Sequence, residues 1–337
     1  MCGIVGYAGY RQAAPLLLDG LSKLEYRGYD SAGVCIQGPE GLEVAKSRGR
    51  LQILSEKIQA GAGLPGLVGV GHTRWATHGA PSDENSHPHL SQNGKIAVVH
   101  NGIIENYLEL RERLTKEGVS FCSDTDTEVV SNLIARLYEE QGDLLEAVRM
   151  AVARLEGSYA LGIVCRDEPG QIIAAKKDSP LIFGFGEGEN FILKYTRQVA
   201  YLDEGDMAVF TASGVTFYNA LGEQVEKKPE KITWELSDAE RGGYPHFMLK
   251  EIHEQPRALR DTISPRVQKG RVVLDDVQLS REYLEGLKRI YIVACGSAHY
   301  AAWGNTFWNG SAGFLWSPFR LPSSAMPIRC CAVRLWL

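Results

Sequence analysis

The residue with the clearest chemical potential is Cys2, in the opening segment Met-Cys-Gly-Ile-Val-Gly. Removal of Met1 would leave a thiol and a free α-amine on one residue, and both groups titrate close to neutral pH, near ~8.5 and ~8. Nucleophilic catalysis requires a sulfur or oxygen with a base beside it, and an N-terminal amine can be that base. The alternative is a small apolar cysteine at the start of an edge strand, since unligated cysteine is usually buried and inert. This segment alone leaves both interpretations open.

A dense polar cluster at residues 71–79 closes an apolar strand and contains Arg74, Thr77 and His78. An arginine in that position can bind a carboxylate through two parallel hydrogen bonds, which a lysine cannot imitate. Taken singly, such residues more often form a surface ion pair and satisfied histidines. Their number at a glycine-framed strand end favours a binding site.

A second apolar strand, predicted over Lys95–His100, runs into Asn101 and Gly102. Asn-Gly is a strong hairpin signal, so a plain turn is one interpretation. The next residues, however, lead into a predicted helix and not into a returning strand. An Asn amide beside a Gly backbone N–H makes two converging donors, which suit an oxyanion hole.

Residues 123–128 read Ser-Asp-Thr-Asp-Thr-Glu, which is typical of a helix-capping box. Asp124 or Thr125 is predicted to cap a helix over residues 127–140. The segment also holds a surplus carboxylate. Near Arg74, that carboxylate would pair with the ammonium of a substrate whose carboxylate binds the arginine, and an amino acid carries both groups.

A metal site is considered because five of the eight histidines lie within residues 72–100: His72, His78, His87, His89 and His100. The spacing does not place paired rings on one helix, and neither H-E-x-x-H nor paired cysteines occur. The sequence therefore predicts no metal and no cofactor.

Composition narrows the class of protein. Of the 337 residues, 44% are hydrophobic and 23% charged, which is ordinary for a globular protein. The net charge of −5 gives no electrostatic case for binding nucleic acid or an anionic membrane. No signal peptide or long apolar run is visible. The seven scattered cysteines lack metal-type spacing, which favours reduced thiols and a cytoplasmic location.

The chain divides into three predicted parts. Residues 1–240 alternate strands, helices and strands, which predicts a layered α+β sandwich. Residues 241–301 begin with a linker and a helix around 248–261, and then a buried strand at Arg289–Ala294 enters the phosphate-type turn Cys-Gly-Ser. Residues 302–337 contain no Asp or Glu and no regular period, so they are predicted to be a disordered tail translated out of frame.

Within the first part, each predicted element follows from its hydrophobic period. Strands are predicted at 4–8, 33–37, 67–75, 95–100, 159–165 and 172–175, with a hairpin series through 207–218. Helices are predicted at 12–24, 105–117, 127–140 and 144–156.

Together these segments resemble the glutamine amidotransferases of the N-terminal-nucleophile class, class II. The first five residues alone would also suit asparagine synthetase or amidophosphoribosyltransferase. Further motifs narrow the resemblance, over about residues 1–300, to the branch that makes glucosamine 6-phosphate: residues 26–33, 71–79, 87–89, 100–103, 123–128 and 246–256.

The resemblance implies a four-layer αββα sandwich, followed by a fragment of a doubly wound α/β sugar-isomerase domain. It implies that Cys2 attacks the side-chain amide of glutamine with its own α-amine as base, and that Asn101 and Gly102 hold the oxyanion. The remaining roles that it implies are binding of the glutamine carboxylate end by Arg74, Thr77 and His78, binding of its α-ammonium by Asp126, and gating by Trp75.

The resemblance also sets an expectation for the second half of the reaction. The sugar-isomerase segment stops soon after Ser297, so the chain is expected to be C-terminally truncated and at most a glutaminase. Fructose 6-phosphate is then a partner of the full-length family only, and a homodimer is considered for that family only. The alternative is an inactive or merely glutamine-binding remnant, because a Ser-Asp segment is missing between Phe191 and Tyr195 and the tail is rich in tryptophan.

Overall fold

The computed structural model describes residues 2–25, 28–76, 78–179, 181–185, 190–192, 198–231, 243–268, 271–273, 280, 282–283, 289–294 and 315–320. The chain forms two compact units, and the boundary between them falls after Thr233. Within the ranges given, none of the helices combines the length and the apolar character that crossing a membrane would take.

The first unit contains two antiparallel sheets. Among the described residues, the first sheet has eight strands in the spatial order β15 (Glu230–Lys231), β11 (Gln198–Tyr201), β9 (Ile182–Phe185), β10 (Asn190–Ile192), β1 (Gly3–Ala8), β4 (Val68–Arg74), β2 (Ser31–Gly38) and β3 (Gly41–Arg48). The second sheet has seven, in the order β14 (Gln224–Val225), β13 (Val215–Tyr218), β12 (Met207–Thr211), β8 (Gln171–Lys177), β7 (Gly157–Cys165), β6 (Ile96–Ile104) and β5 (His89–Leu90).

Helices cover the outer face of each sheet. The first sheet packs on α1 (Ala13–Ser22) and α2 (Leu51–Lys57), and the second packs on α3 (Tyr107–Lys116), α4 (Thr127–Gln141) and α5 (Leu144–Val152). The predicted α+β sandwich is therefore confirmed, with the layer order helix, sheet, sheet, helix.

The alternation of side chains along a strand explains how one strand serves two layers. In β6, Ala97 and Val99 belong to the apolar core between the sheets, whereas Ile96 and Val98 belong to the core under α4 and α5. In β4, Val68 and Val70 face the space between the sheets. The same alternation points polar residues further along these strands, His72 and Arg74 on β4 and Asn101 on β6, into that space.

Three details differ from the sequence prediction. Strand β6 does not end at His100: it continues through Asn101 and Gly102, which pair with Ala160 and Tyr159 of β7. The ladder hydrogen bonds to β7 override the turn preference of Asn-Gly. The N-cap of α4 is Asp126, and not Asp124 or Thr125. Several elements were not predicted: strand β3 and helix α2, whose apolar period is interrupted by charged residues, and the short strands β5, β9, β10, β11, β14 and β15.

The second unit contains helix α6 (Phe247–Ile263), which confirms the predicted helix. A short antiparallel pair follows, β16 (Val267–Gln268) with β17 (Arg271–Val272). The predicted strand is present as β18 (Arg289–Ala294), and it pairs in parallel with β19 (Leu315–Arg320). Within the predicted tail, residues 315–320 are the part that the structure describes. Residues 241–242 of the predicted linker, the turn at 295–297 and residues 193–194 of the segment between Phe191 and Tyr195 lie outside the described residues.

Candidate active site

Cys2 lies at the entrance to β1, beside the end of β4. The register of these strands pairs Gly3 with Thr73, so the residue before Gly3 reaches the residues that follow Thr73. The Trp75 backbone N–H donates to the Cys2 Sγ at 3.1 Å. The thiol is half-buried. Burial raises its pKa, an effect that the hydrogen bond from Trp75 opposes.

A thiol with a raised pKa is mostly protonated at neutral pH, and the thiolate is the nucleophile. A nucleophilic role for Cys2 would therefore require a base that removes the thiol proton. The α-amine predicted for this role depends on removal of Met1, which lies outside the described residues.

Arg74 is buried at the last position of β4, with 4% of its surface exposed. Its Nη2 group donates to the carbonyl oxygens of His78 and, at 3.1 Å, Gly79, and its Nη1 atom stands 4.0 Å from Oδ1 of Asp30. Burial lowers the pKa of Arg74, and the charges of Asp30, Cys2 and Asp126 oppose that shift. The guanidinium is thus held by the loop on one side and retains one nitrogen without a hydrogen-bond partner.

Asp30 is a member of this arrangement that the sequence analysis did not single out. Its backbone N–H donates to the Arg74 carbonyl at 2.7 Å, and its carboxylate accepts from the backbone N–H of Ala76 and, at 2.9 Å, from the Ser31 hydroxyl. Asp30 therefore fixes both the side chain of Arg74 and the chain on either side of Trp75. The available signal was an acidic residue in the glycine-bearing loop before β2, a strand that pairs with β4.

Asn101 and Gly102 lie side by side in β6. The Oδ1 atom of Asn101 is 2.9 Å from Nε2 of His72 on β4. Gly102 has a φ of 136°, and a Cβ atom there would stand 2.0 Å from the Ser158 carbonyl oxygen. Only glycine meets both conditions, so the backbone N–H at this position is presented in a geometry that a side chain would destroy.

Trp75 is the exposed member of the site. Its side chain is 54% exposed, although it directly follows the buried Arg74. The ring packs against Gly28, where a Cβ atom would stand 2.9 Å from it and where φ is 75°. An exposed indole next to the nucleophile lies where it can cover a bound substrate.

Asp126 precedes helix α4, and His78 lies in the loop after β4. Asp126 is buried at the N-terminus of α4, and its Oδ2 accepts from the Ile104 backbone N–H at 2.9 Å. The His78 ring packs edge-on against Tyr107, with centroids 5.2 Å apart. Thr77, the remaining residue predicted for the site, lies outside the described residues.

A cluster of buried imidazoles lies behind the site. The rings of His72, His87, His89 and His100 are neighbours, with centroids 4.3 Å apart for His72 and His87. Burial lowers the pKa of all four, that of His72 to about 3, so they are neutral at physiological pH. In the described part of the chain, no group of three or more His, Cys, Asp or Glu side chains is arranged to hold a metal ion.

Six buried polar atoms of the described residues lack a hydrogen-bond partner. Among the described residues they are His72 Nδ1, Thr73 Oγ1, Arg74 Nη1, His78 Nδ1, His100 Nε2 and Ser158 Oγ. Such atoms are rare in folded proteins, and each calls for a water or a ligand. Of these residues, Arg74 ends β4, and the residue that follows it donates to the Cys2 thiol.

The sequence of this chain is similar to one domain family and to several named proteins. The glutamine amidotransferase domain family matches residues 72–194. The chain is 52% identical over 309 residues to the glutamine–fructose-6-phosphate aminotransferase (isomerizing) of Caldanaerobacter subterraneus subsp. tengcongensis, across 89% of this chain and 50% of that protein. A protein of the same name from Thermus thermophilus is 48% identical over 310 residues, with the same shares. The chain thus spans about half the length of the curated relatives it matches.

Two solved structures share the fold. A glutamine phosphoribosylpyrophosphate amidotransferase from B. subtilis, 24% identical, superposes with a TM-score of 0.55 over 65% of this chain and 49% of that chain. A structure described as the allosteric regulatory enzyme of purine biosynthesis, 25% identical, gives a TM-score of 0.56 with the same shares.

Proposed function

Because this chain belongs to the glutamine–fructose-6-phosphate aminotransferase family and carries a glutamine amidotransferase domain, we propose that Cys2 hydrolyses the side-chain amide of glutamine to glutamate and ammonia. The observation that carries the proposal is the buried Arg74 guanidinium beside the half-buried Cys2 thiol. Its Nη1 atom lacks a hydrogen-bond partner, and a substrate carboxylate is the group that an arginine nitrogen of this kind binds best.

In the proposed reaction, the Cys2 sulfur bonds to the amide carbon of glutamine, and its proton passes to the α-amine exposed by removal of Met1. The negative charge that develops on the amide oxygen is stabilised by the Asn101 side-chain NH2 and the Gly102 backbone N–H. The α-ammonium then gives its proton to the leaving nitrogen, which departs as ammonia and leaves a γ-glutamyl thioester. Water, deprotonated by the same amine, adds to the thioester carbon. The C–S bond then breaks, the Cys2 sulfur takes back a proton from the α-ammonium, and glutamate is released.

The rest of the site binds the amino-acid end of glutamine. Arg74, with Thr77 and His78, receives the α-carboxylate, and Asp126 receives the α-ammonium. Trp75, exposed and adjacent to the nucleophile, covers the bound substrate. The raised pKa of the Cys2 thiol is consistent with this scheme, because a protonated resting thiol needs the adjacent amine.

Fructose 6-phosphate appears in the names of the relatives as the acceptor of the amino group. For this chain the proposal concerns the glutaminase half of that reaction, which the described site would perform. A cytoplasmic setting is proposed with it, on the scattered and odd set of cysteines.

The test is to incubate the purified chain with glutamine and to quantify glutamate, ammonia and amino sugar, with and without fructose 6-phosphate. Mass spectrometry reports whether Met1 is absent. Cys2→Ala should abolish glutamate formation, whereas Cys122→Ala, which removes an exposed free thiol, should retain it. Glutamine binding without Cys2-dependent glutamate would reject hydrolysis and indicate a glutamine-binding protein.

A further inference from the structure

We propose that His72 is a positioning residue that holds the Asn101 amide by its oxygen and so reserves the amide NH2 group for the oxyanion. The inference rests on the proposed glutamine hydrolysis. Its observation is the contact of 2.9 Å between His72 Nε2 and Asn101 Oδ1. His72 itself is fully buried and is not proposed to touch the substrate.

The Asn101 oxygen fixes the direction of this hydrogen bond, because an amide oxygen accepts and does not donate. Burial lowers the pKa of His72 to about 3, and the hydrogen bond to Asn101 opposes that shift only in part. The imidazole is therefore neutral and carries one N–H group. An amide oxygen can only accept, so the proton lies on Nε2. The opposite tautomer would leave two acceptors, His72 Nε2 and Asn101 Oδ1, facing each other at 2.9 Å.

The imidazole is well placed to act as a fixed support. His72 lies in the middle of the first sheet, where β4 pairs with β1 at Ile4 and with β2 at Gly33. Its ring packs against His87 on another side. A side chain held in this way has little rotational freedom, and a fixed neighbour is what makes a catalytic donor preorganised.

The hydrogen bond also joins the two halves of the site. Cys2 directly precedes β1 and Arg74 ends β4, both strands of the first sheet, whereas Asn101 and Gly102 belong to β6 of the second. His72 is on the same strand as Arg74 and contacts Asn101 across the space between the sheets. It thereby fixes the Asn101 donor relative to the strand that ends beside the nucleophile.

Loss of this contact should lower the rate of reaction without weakening the binding of glutamine. The terminal torsion of an Asn side chain is broad, so an unsupported amide turns and presents its oxygen to the oxyanion for part of the time. Complete loss of one oxyanion donor typically costs ~10²–10³ in kcat, and partial misorientation should cost about 10- to 100-fold. Both the acylation and the hydrolysis steps pass through an oxyanion, so kcat falls whichever step limits it.

The experiment compares His72→Leu, which removes the donor, with His72→Gln, whose amide can still donate to Asn101. We expect kcat for glutamine to fall about 10- to 100-fold in His72→Leu and to recover at least in part in His72→Gln. KM should stay within about threefold, because ground-state binding is unchanged. Alkylation of Cys2 by iodoacetamide, a displacement without an oxyanion, should keep its wild-type rate.

A double-mutant cycle separates positioning from a general structural role. In an Asn101→Ala background the proposal predicts that His72→Leu has no further effect on kcat, whereas independent structural damage would multiply the two losses. His89→Leu removes another buried imidazole, one that contacts Thr125, and serves as the matched control, with kcat within about threefold of wild type. His72→Met, which also lacks a donor, replaces His72→Leu if that variant does not fold.

The outcomes distinguish this inference from the proposed function. If the wild-type chain forms no Cys2-dependent glutamate, the proposed function fails and the role of His72 fails with it. If the wild type is active and His72→Leu retains its kcat, or loses kcat by the same factor in the Asn101→Ala background, only the role of His72 is refuted.

Discussion

Replacement of Arg74 by lysine tests the proposed binding of glutamine most directly. Nη2 of Arg74 is occupied by the carbonyl oxygens of His78 and Gly79, and Nη1 is left for a ligand. A lysine ammonium keeps the charge, but a single nitrogen cannot hold both carbonyls and also bind a carboxylate. The expected loss is one hydrogen bond between charged groups.

The magnitude follows from the energy of such a bond. Hydrogen bonds to charged groups contribute about 1.5–3 kcal/mol, and about 1.4 kcal/mol corresponds to a factor of ten at 25 °C. KM for glutamine should therefore rise about 10- to 150-fold in Arg74→Lys. The α-carboxylate is remote from the reacting amide and is bound equally in ground and transition states, so kcat should change by less than about fivefold.

The assay is the initial rate of ammonia release over a range of glutamine concentrations, repeated with 4-aminobutanamide, which lacks the α-carboxylate and yields 4-aminobutanoate instead of glutamate. Wild type should prefer glutamine strongly over 4-aminobutanamide. Arg74→Lys should lose most of that preference, because its KM rises for glutamine and not for 4-aminobutanamide. Arg113→Lys, a matched change in an exposed pair with Glu117, is the control. A variant that melts like wild type, keeps its KM within about threefold and still discriminates against 4-aminobutanamide would refute the proposed role of Arg74.

Three further predictions concern the same region. Gly102→Ala should lower the free energy of unfolding by at least about 2 kcal/mol and abolish glutamate formation. The new Cβ would stand 2.0 Å from the Ser158 carbonyl oxygen, and the backbone at this position is in a region that L-residues avoid. Urea unfolding and activity identical to those of the wild type would contradict this prediction. The free energy of unfolding should fall as pH drops below about 6.5 toward about 3. In that range the unfolded chain protonates four histidines that burial keeps neutral in the folded chain. Each of the four contributes a loss of up to about 1.4 kcal/mol per pH unit. Urea titrations at pH 7.5 and 5 measure it, and equal values would reject the burial of neutral imidazoles. Alkylation of Cys2 by iodoacetamide should accelerate steadily from pH 7 to beyond pH 9, because burial raises the pKa of the thiol, and a plateau below pH 8 would contradict that shift.

The sequence predicted the layers of the first unit well, because its strands and helices carry clear periods. Ile4 and Ala8 face one layer and Val5 and Tyr7 the other, as alternation requires. It failed where local preference and tertiary pairing disagree. Asn101 has the local chemistry of a turn, and ladder bonds with β7 decide that it stays in a strand.

The sequence predicted which residue types form the candidate site, but it did not predict the residues that hold those side chains in position. Cys2, Arg74 and Asn101 stand out because cysteine, arginine and Asn-Gly have distinctive chemistry at strand ends. Asp30 and His72 do not stand out, because their importance lies in contacts across long sequence separations, Asp30 with Arg74 and Ala76, and His72 with Asn101. A pattern along the chain does not contain such contacts, which exist only after the strands have been paired and the sheets stacked.

This distinction has a consequence for how the site is built. Side chains alternate between the two faces of a strand, and this alternation alone points His72, Arg74 and Asn101 into the space between the sheets. Any chain with the same order of apolar and polar residues along these strands would bring a similar set of polar groups together there. Proximity of this kind leaves each group free to rotate or to find a different partner. Asp30 on the arginine and His72 on the amide remove that freedom, and both are buried or partly buried behind the groups they hold. Catalytic orientation should therefore be more sensitive to these two supporting residues than folding is, which is the pattern that the kcat and KM measurements on His72 are designed to detect.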